Sequence, residues 1–370
     1  MRLDILGARL WNQGLSAARF TKPEEVVRWL GAIQAQDYAG AKWALALRMR
    51  RATDAAIERA FAEGAILRTH VMRPTWHFVT PADIRWMLAL TAPRVKAAMA
   101  SYDRKLGLDA GVFRRSHRVL TRALRGGAQL TRQELKGVLQ RAGVVADGVQ
   151  RLAHLMMRAE LDGVICSGAR RGRQFTYALL DERVPPSRPL TREEALAELA
   201  RRYFNSHGPA QVQDFSWWSG LTMADARAGL ALVDAALVHD IVGGKTYWFS
   251  SSMPASPRPS RTAYLLPLYD EYLIAYKDRS AALGPYRWER IAGRDSFVAP
   301  LIVGGRVAGG WRSTLEKNRV VVRLAPQAPD KADVSAIGKA ARAYAGFLGI
   351  DVALADSERG RRTVRGRLWS

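Results

Sequence analysis

Two glutamines separated by one residue, Gln34 and Gln36, are the side chains of this sequence best suited to chemistry without a metal. A neutral carboxamide both donates and accepts hydrogen bonds, so Gln34 either bonds the backbone of the next segment or faces a wet cleft. Asp37 follows the pair directly. The alternative is that the amides only cap the end of a helix, because a buried glutamine without a partner costs about 1–3 kcal/mol.

The segment before the pair is predicted to be the helix that positions it. Val27, Leu30 and Gln34 fall on one stripe of an amphipathic helix over residues 23–34. Residues two apart in a helix point about 200° away from each other. We therefore expect the two amides to converge only where the helix ends, in the stretch 37–40.

A predicted β-hairpin around residue 73 carries a second group of candidate residues. Arg68, Arg73 and His77 are interleaved with Trp76. Basic side chains beside an aromatic ring suit phosphate contact combined with stacking on a base or sugar. The alternative is that Trp76 belongs to the core and the arginines are solvated.

A second predicted hairpin has three arginines at its turn, Arg170, Arg171 and Arg173, and we expect these to bind phosphate. Three further candidates for DNA contact lie after residue 261, namely Lys277, Trp311 and Arg312. Acidic residues around Lys277 leave open a second interpretation of its segment, a strand edge with internal ion pairs.

Net charge indicates a polyanionic partner. The chain of 370 residues carries a formal charge of +23, with a net +16 over residues 1–190, −1 over 191–260 and +8 over 261–370. An uneven basic surface of this kind is typical of proteins that bind nucleic acid. The alternative is an arginine-rich composition with a solvated surface.

Several other classes are disfavoured by the sequence. No apolar run is long enough for a membrane span, and the first residues lack the apolar core of a signal peptide. One cysteine allows no disulfide, and the scattered histidines and acidic residues predict no metal site. No phosphate-binding glycine motif precedes a helix, so no cofactor is predicted. We expect a cytoplasmic, nucleoid-associated protein that acts as a monomer.

Three stretches share one order of elements, in which helices are followed by a short hairpin. This is the order of a winged helix, and its repetition predicts an α+β fold of three tandem winged helices and a β-rich C-terminal domain. Thr131 and Glu134 predict a capping box at the start of one helix, and Gly243-Gly244 predicts the turn of one hairpin. The predicted limits are 1–110, 111–188 and 189–252 for the winged helices, 261–356 for the last domain and 357–370 for a basic tail. A proline-rich linker is predicted at 251–260.

Several motifs in sequence order resemble the winged-helix DNA glycosylases of the AlkZ/YcaQ type. They are ARLWNQGL, AIQAQ, LRTHVMRPTWHFVTPADI, LLPLYDEYLIAYKDRS and VGGRVAGGWR, which together span most of the chain from residue 8 to residue 312. The resemblance implies three winged helices and a β-rich part wrapped into a C shape around duplex DNA. Members typically carry Arg-Gly-Thr where this chain has Arg73-Pro74-Thr75, and proline removes an N–H donor there.

The resemblance also implies a reaction. The family motif Gln-x-Gln falls on Gln34 and Gln36, which implies that they are catalytic, that they hold the attacking water and that Asp37 adds negative charge nearby. It also implies that the protein excises N7-alkylated purines, and some members of the family unhook interstrand crosslinks. In the YcaQ branch the motif is Gln-x-Asp. Its aspartate falls one position before Asp37, so the role of that aspartate is not transferred to Asp37. Two alternatives stay open from the residues alone: a non-enzymatic winged-helix regulator or architectural DNA-binding protein, and an RNA-binding protein.

Overall fold

The computed structural model describes residues 3–253, 262–284, 299–326 and 331–356. Most of the predicted linker and the whole predicted basic tail lie outside the described residues. None of the helices within that part of the chain has the length and apolarity needed to span a membrane.

The first helical unit contains the glutamine pair. Its elements are α1 Ile5–Asn12, α2 Pro23–Leu30, β1 Ile33–Gln34, α3 Tyr38–Ala46, α4 Asp54–Glu63, β2 Leu67–His70, β3 Trp76–Val79 and α5 Pro81–Lys105. The prediction that one helix extends to residue 34 is wrong. The helix ends at Gly31, whose φ of 83° lies in the left-handed region that favours glycine. The chain then pairs as β1 with β3 in a three-stranded sheet of order β1–β3–β2.

The second unit follows the predicted order of three helices and a hairpin. Its elements are α6 Ala110–Leu124, β4 Leu130–Thr131, α7 Arg132–Arg141, α8 Val149–Leu161, β5 Ile165–Ser167, β6 Thr176–Leu179 and α9 Leu180–Arg183. The predicted start of α7 is confirmed: the Thr131 hydroxyl accepts from the Glu134 N–H, and the Glu134 carboxylate accepts from the Thr131 N–H.

The third unit repeats this order. Its elements are α10 Arg192–His207, α11 Val212–Ser219, α12 Met223–Ala231, a 3₁₀ turn at Asp234–Ala236, β7 Leu237–Val242 and β8 Lys245–Ser250. The β7–β8 hairpin turns at Gly243-Gly244, where both φ angles are positive, as a tight two-residue turn requires.

The C-terminal part is built on a five-stranded sheet of order β13–β12–β11–β10–β9. Its elements are β9 Ala263–Leu265, α13 Glu271–Ile274, α14 Ser280–Leu283, β10 Ala299–Val303, β11 Arg306–Glu316, β12 Arg319–Pro326, α15 Lys331–Leu348 and β13 Asp351–Asp356. The strand interpretation of the segment around Lys277 is wrong. Asp270 caps α13 there, and its carboxylate forms a fully buried ion pair with Arg48.

Two hydrophobic clusters join parts of the chain that are distant in sequence. One combines Leu67, Val79 and Trp218 with other apolar side chains of the first and third units. The other packs α2 and α3 of the first unit against the C-terminal sheet and α15, with Leu265 and Phe347 among its members. The α+β fold class is confirmed, and the segment with the two glutamines lies where these parts meet. The exact domain limits stay a prediction.

Candidate active site

Gln34 lies in a short strand, β1, and not in a helix. Ile33 and Gln34 pair with Phe78 and His77 of β3, and the Ala35 N–H continues the ladder by donating to the Trp76 carbonyl at 2.7 Å. Ala35 is buried, whereas Gln34 is half-buried and Gln36 is exposed. This alternation is that of a strand, in which residues two apart point to the same face. The expectation of a helix end over 37–40 is wrong, because α2 ends before the pair and α3 begins at Tyr38.

Arg73 holds the carboxamide of Gln34 in one orientation. Its Nη2 donates to Gln34 Oε1 at 3.1 Å. Because arginine only donates, the oxygen and not the nitrogen of this amide must face it. The preceding residue, Met72, has a φ of 63°, a costly conformation for a side chain of its size. The Thr91 hydroxyl, which accepts from the Met72 N–H at 3.1 Å, supports it.

A buried carboxylate lies behind Gln34. Glu271 Oε1 accepts from the Gln34 N–H at 3.0 Å, and Oε2 accepts from the Trp218 indole N–H at 2.9 Å. The side chain of Glu271 is fully buried. Burial lowers the pKa of Arg73, and the Glu271 carboxylate opposes that shift, which places the two charges close together around Gln34.

His77 is fully buried, so the prediction that it contacts DNA is wrong as a surface contact. Its Nδ1–H donates to the Thr75 carbonyl at 2.9 Å, and its Nε2 lies 3.4 Å from Arg73 Nη2. Since Arg73 can only donate, Nε2 must be unprotonated and the ring neutral. Burial and the neighbouring guanidinium lower the pKa of His77 well below 6.5. The ring supports the hairpin that presents Arg73.

Arg68 links the glutamine segment to the wall of a cleft. Its Nε donates to the Ala35 carbonyl at 2.9 Å. Its guanidinium lies over the rings of Trp76 and Phe175, at 4.2 and 4.5 Å from their centroids. The side chain is only 7% exposed, and burial lowers the pKa of Arg68 to about 10. It touches the cleft but is bound mainly by protein groups.

The cleft has the lining expected of a nucleic-acid surface. Its volume is about 680 Å³. Its lining residues are Arg68, Trp76, Thr131, Arg132, Gln133, Lys136, Gly148, Val149, Leu152, Arg173, Gln174, Phe175 and Tyr177. Within the part of the chain that the structure describes, these include four cations and three aromatic rings but no acidic side chain. Helices α7 and α8 both begin at the cleft, so their N-terminal dipoles add to its positive potential.

The three arginines of the second hairpin have different surroundings. Arg173 is exposed and lines the cleft, and Arg171 is exposed and pairs with Glu134 at 2.8 Å. Arg170 is half-buried, pairs with Glu58 at 3.2 Å and lies over the Tyr38 ring. Arg171 and Arg173 remain accessible to phosphate, whereas Arg170 mainly joins the second unit to the first.

The remaining predicted residues are dispersed. Asp37 is exposed and caps α3 by accepting from the Gly40 N–H at 3.2 Å. Lys277 is exposed near α11, and Arg312 is exposed on β11. Trp311 lies in the core, with its indole N–H donating to the Leu266 carbonyl at 2.7 Å. The prediction that Trp311 contacts DNA is wrong because its ring packs against the C-terminal helix.

Sequence reasoning missed three residues of this site. Glu271 was assigned to a strand edge, although its place in a helix that follows a capping aspartate was readable from Asp270. Arg132 and Lys136 lie four residues apart on α7 and so share one helix face. No group of residues with the composition of a metal site occurs in the described ranges.

Comparison with known proteins decides the family. The model of the family described as DNA glycosylase AlkZ-like matches residues 27–347, which is most of the chain. The chain belongs to the AlkZ-like DNA glycosylases. An AlkZ-like protein of Streptomyces sahachiroi, described as an interstrand DNA cross-link repair glycosylase, is 25% identical over 327 residues, covering 83% of this chain and 86% of that protein.

The fold agrees with this family. The solved structure of Streptomyces sahachiroi DNA glycosylase AlkZ matches with a TM-score of 0.77 at 22% identity, covering 95% of this chain and 98% of that chain. As a member of the AlkZ-like family the protein is a DNA glycosylase, and DNA is its substrate. This membership does not fit the alternative of a non-enzymatic regulator.

Proposed function

We propose that the protein hydrolyses the N-glycosidic bond of N7-alkylated purines in duplex DNA, using a water molecule held by Gln34 and Gln36. One observation carries the proposal. Gln34 and Gln36 flank the buried Ala35, which is bonded to Arg68 and Trp76 in the wall of the basic cleft.

Neutral amides suit this chemistry. Alkylation at N7 leaves the purine positively charged, so the base departs without a strong general acid. The remaining barrier comes from positive charge developing on the sugar and from placing the attacking water. Groups positioned in advance for these two tasks contribute several kcal/mol.

Gln34 is the better positioned of the two amides. Arg73 occupies one lone pair of its Oε1, which leaves the second to accept a water O–H. Glu271 fixes the backbone beneath it. Gln36 is exposed and would supply the second hydrogen bond to the water. Asp37 would add negative charge at the edge of the site while capping α3.

We extend the proposal to the unhooking of interstrand crosslinks. A crosslinked base cannot be turned freely out of the duplex into an enclosed pocket. The cleft beside the glutamine segment is open and is lined by residues of the first unit, on β2 and β3, and of the second unit, on α7, α8 and β6. The name of the Streptomyces sahachiroi relative also refers to cross-link repair.

The test is single-turnover excision of N7-methylguanine from a duplex by Gln34→Ala and Gln36→Ala. We expect each rate to fall roughly 100-fold, the size typical of losing a positioned catalytic group, while binding of the duplex changes little. A matched control is Gln140→Ala, because Gln140 is an exposed glutamine on α7 that does not line the cleft. Undiminished rates in both variants would remove the catalytic assignment.

A duplex with an N7-linked interstrand crosslink tests the second part. Separation of the strands on a denaturing gel is expected with the unchanged protein and not with Gln34→Ala. If methylguanine is released but the crosslinked strands stay joined, the unhooking proposal is wrong and the glycosylase mechanism stands.

A further inference from the structure

A second basic surface lies between α6 and α7, and we call it the arginine groove. Its volume is about 500 Å³, and its lining residues are Arg115, Arg118, Val119, Arg122, Ala123, Val138, Arg141 and Ala142. Half of them are arginines, and among the described residues no acidic side chain contributes to the lining. The groove therefore concentrates positive charge that nothing in its own lining neutralises.

The groove is separate from the cleft. Arg132 at the start of α7 faces the cleft, whereas Arg141 at its end faces the groove. Nine residues at 3.6 per turn place these two side chains on opposite sides of the helix. The same nine residues separate them by about 13 Å along the axis, so across a helix about 10–12 Å wide they lie roughly 17 Å apart.

Folding alone does not account for the arginine groove. Arg118 and Arg122 are four residues apart on α6, where like charges repel each other. Only Arg115 of the four has a described hydrogen bond, to the Ala142 carbonyl at 2.8 Å, and none takes part in the ion pairs found across the described ranges. Near and within the third unit, by contrast, three exposed arginines have carboxylate partners: Arg188 with Glu194, Arg192 with Asp225 and Arg201 with Glu198.

We infer that the arginine groove binds the phosphate backbone of the same duplex whose lesion occupies the cleft, on the flank of the lesion. Duplex DNA carries about one negative charge per 1.7 Å of its axis, so it presents phosphates continuously beyond the cleft. Planar guanidinium groups match phosphate oxygens in pairs. The inference goes beyond the glutamine chemistry and would stand if Gln34 and Gln36 proved not to be catalytic.

The experiment compares two duplexes with the same central lesion. One has about 8 base pairs and reaches only roughly 14 Å to each side of the lesion, which stops short of the groove; the other has about 30 base pairs. The variant is Arg118→Gln, Arg122→Gln and Arg141→Gln together, and it keeps Arg115 because that side chain bonds the backbone. The control removes the same charge elsewhere: Arg188→Gln, Arg192→Gln and Arg201→Gln.

We expect the groove variant to bind the long duplex roughly 10-fold more weakly. For the groove variant, the slope of log affinity against log salt concentration should become less steep by about two to three units, because three phosphate contacts are lost. Binding of the short duplex and excision from it should match the unchanged protein, and the control variant should lose far less affinity for the long duplex.

Equal weakening on both duplexes, or equal weakening by the control, would overturn the inference. The inference would also be overturned if the unchanged protein bridges two separate duplexes and the groove variant does not. The groove would then bind a second molecule of DNA.

Discussion

The two hairpins of the first and second units carry similar residues and hold them very differently. In the β2–β3 hairpin, Arg68 and His77 are buried and Arg73 is half-buried, and each side chain is bonded to fixed protein atoms. In the β5–β6 hairpin, Arg171 and Arg173 are exposed at the turn. One hairpin is wedged between other parts of the chain, whereas the turn of the other meets solvent.

The comparison shows that an arginine in a hairpin has no fixed role. A buried guanidinium must satisfy its donors within the protein, so it becomes a means of placing other groups. An exposed guanidinium keeps most of its donors for a ligand. The first hairpin therefore positions Gln34, and the second is available to DNA phosphate.

The largest expected effect separates positioning from binding. Arg73→Ala removes the group that orients the Gln34 carboxamide. We expect single-turnover excision of N7-methylguanine to fall roughly 100-fold, with the dissociation constant for the duplex changing less than about threefold.

A double variant distinguishes this positioning role from general damage to the fold. If Arg73 acts through Gln34, then Arg73→Ala combined with Gln34→Ala should be no slower than Gln34→Ala alone. If the fold-losses of the two single variants multiply in the double variant, Arg73 contributes independently of that amide.

A smaller effect is expected at the second hairpin. Replacing Arg171 and Arg173 together by glutamine should weaken duplex binding roughly 10-fold. The slope of log affinity against log salt concentration should become less steep by about two units. The single-turnover rate at saturating protein should stay unchanged, because these side chains bind phosphate away from the bond that breaks. The matched control is Arg188→Gln with Arg201→Gln; an equal loss of affinity there would mean that only net charge matters.

The smallest expected effect tests how well the first hairpin excludes water. Burial lowers the pKa of His77 well below 6.5. Below pH 6.5 the His77 imidazole is therefore protonated in the unfolded chain but stays neutral in the folded chain. The free energy of unfolding falls for this reason as the pH drops from 6.5 toward the lowered pKa.

Between pH 6.5 and 5.5 this loss amounts to about 1 kcal/mol. His77→Asn keeps a donor for the Thr75 carbonyl and removes the titrating group. Over the same pH interval, the free energy of unfolding in urea should therefore fall by about 1 kcal/mol less for this variant than for the unchanged protein. Burial also lowers the pKa of His117 and His207. Both side chains are present in the unchanged protein and in His77→Asn, so their contributions cancel in the comparison. Identical pH dependence would show that His77 is accessible to protons.

Much of the fold was predictable from local patterns. Capping boxes such as Thr131 with Glu134, and the turn at Gly243-Gly244, depend on neighbours a few residues away, and they appear as predicted. Long-range pairing was not predictable in this way. The apolar stripe that ends in Gln34 looks helical locally, yet the last residues of the stripe pair with β3, more than 40 residues later.

The candidate site was predicted in part for the same reason. The Gln-x-Gln motif and the exposed arginines are visible as residue types at short spacing. Glu271 lies more than 200 residues from Gln34 in sequence, and nothing local indicates that its carboxylate accepts the Gln34 N–H. Trp311 follows two glycines in a hairpin-like sequence, but packing against α15 decided that its ring is core.

By itself the sequence determined the repeated helices and hairpins, the strongly basic character and the presence of two adjacent amides, because each depends on residue type and short spacing. Tertiary structure alone decided which arginines meet solvent and that Gln34 lies in a strand rather than at the end of a helix. Burial and strand pairing are settled only when distant segments pack together, and at that point hairpins of similar composition acquire different functions.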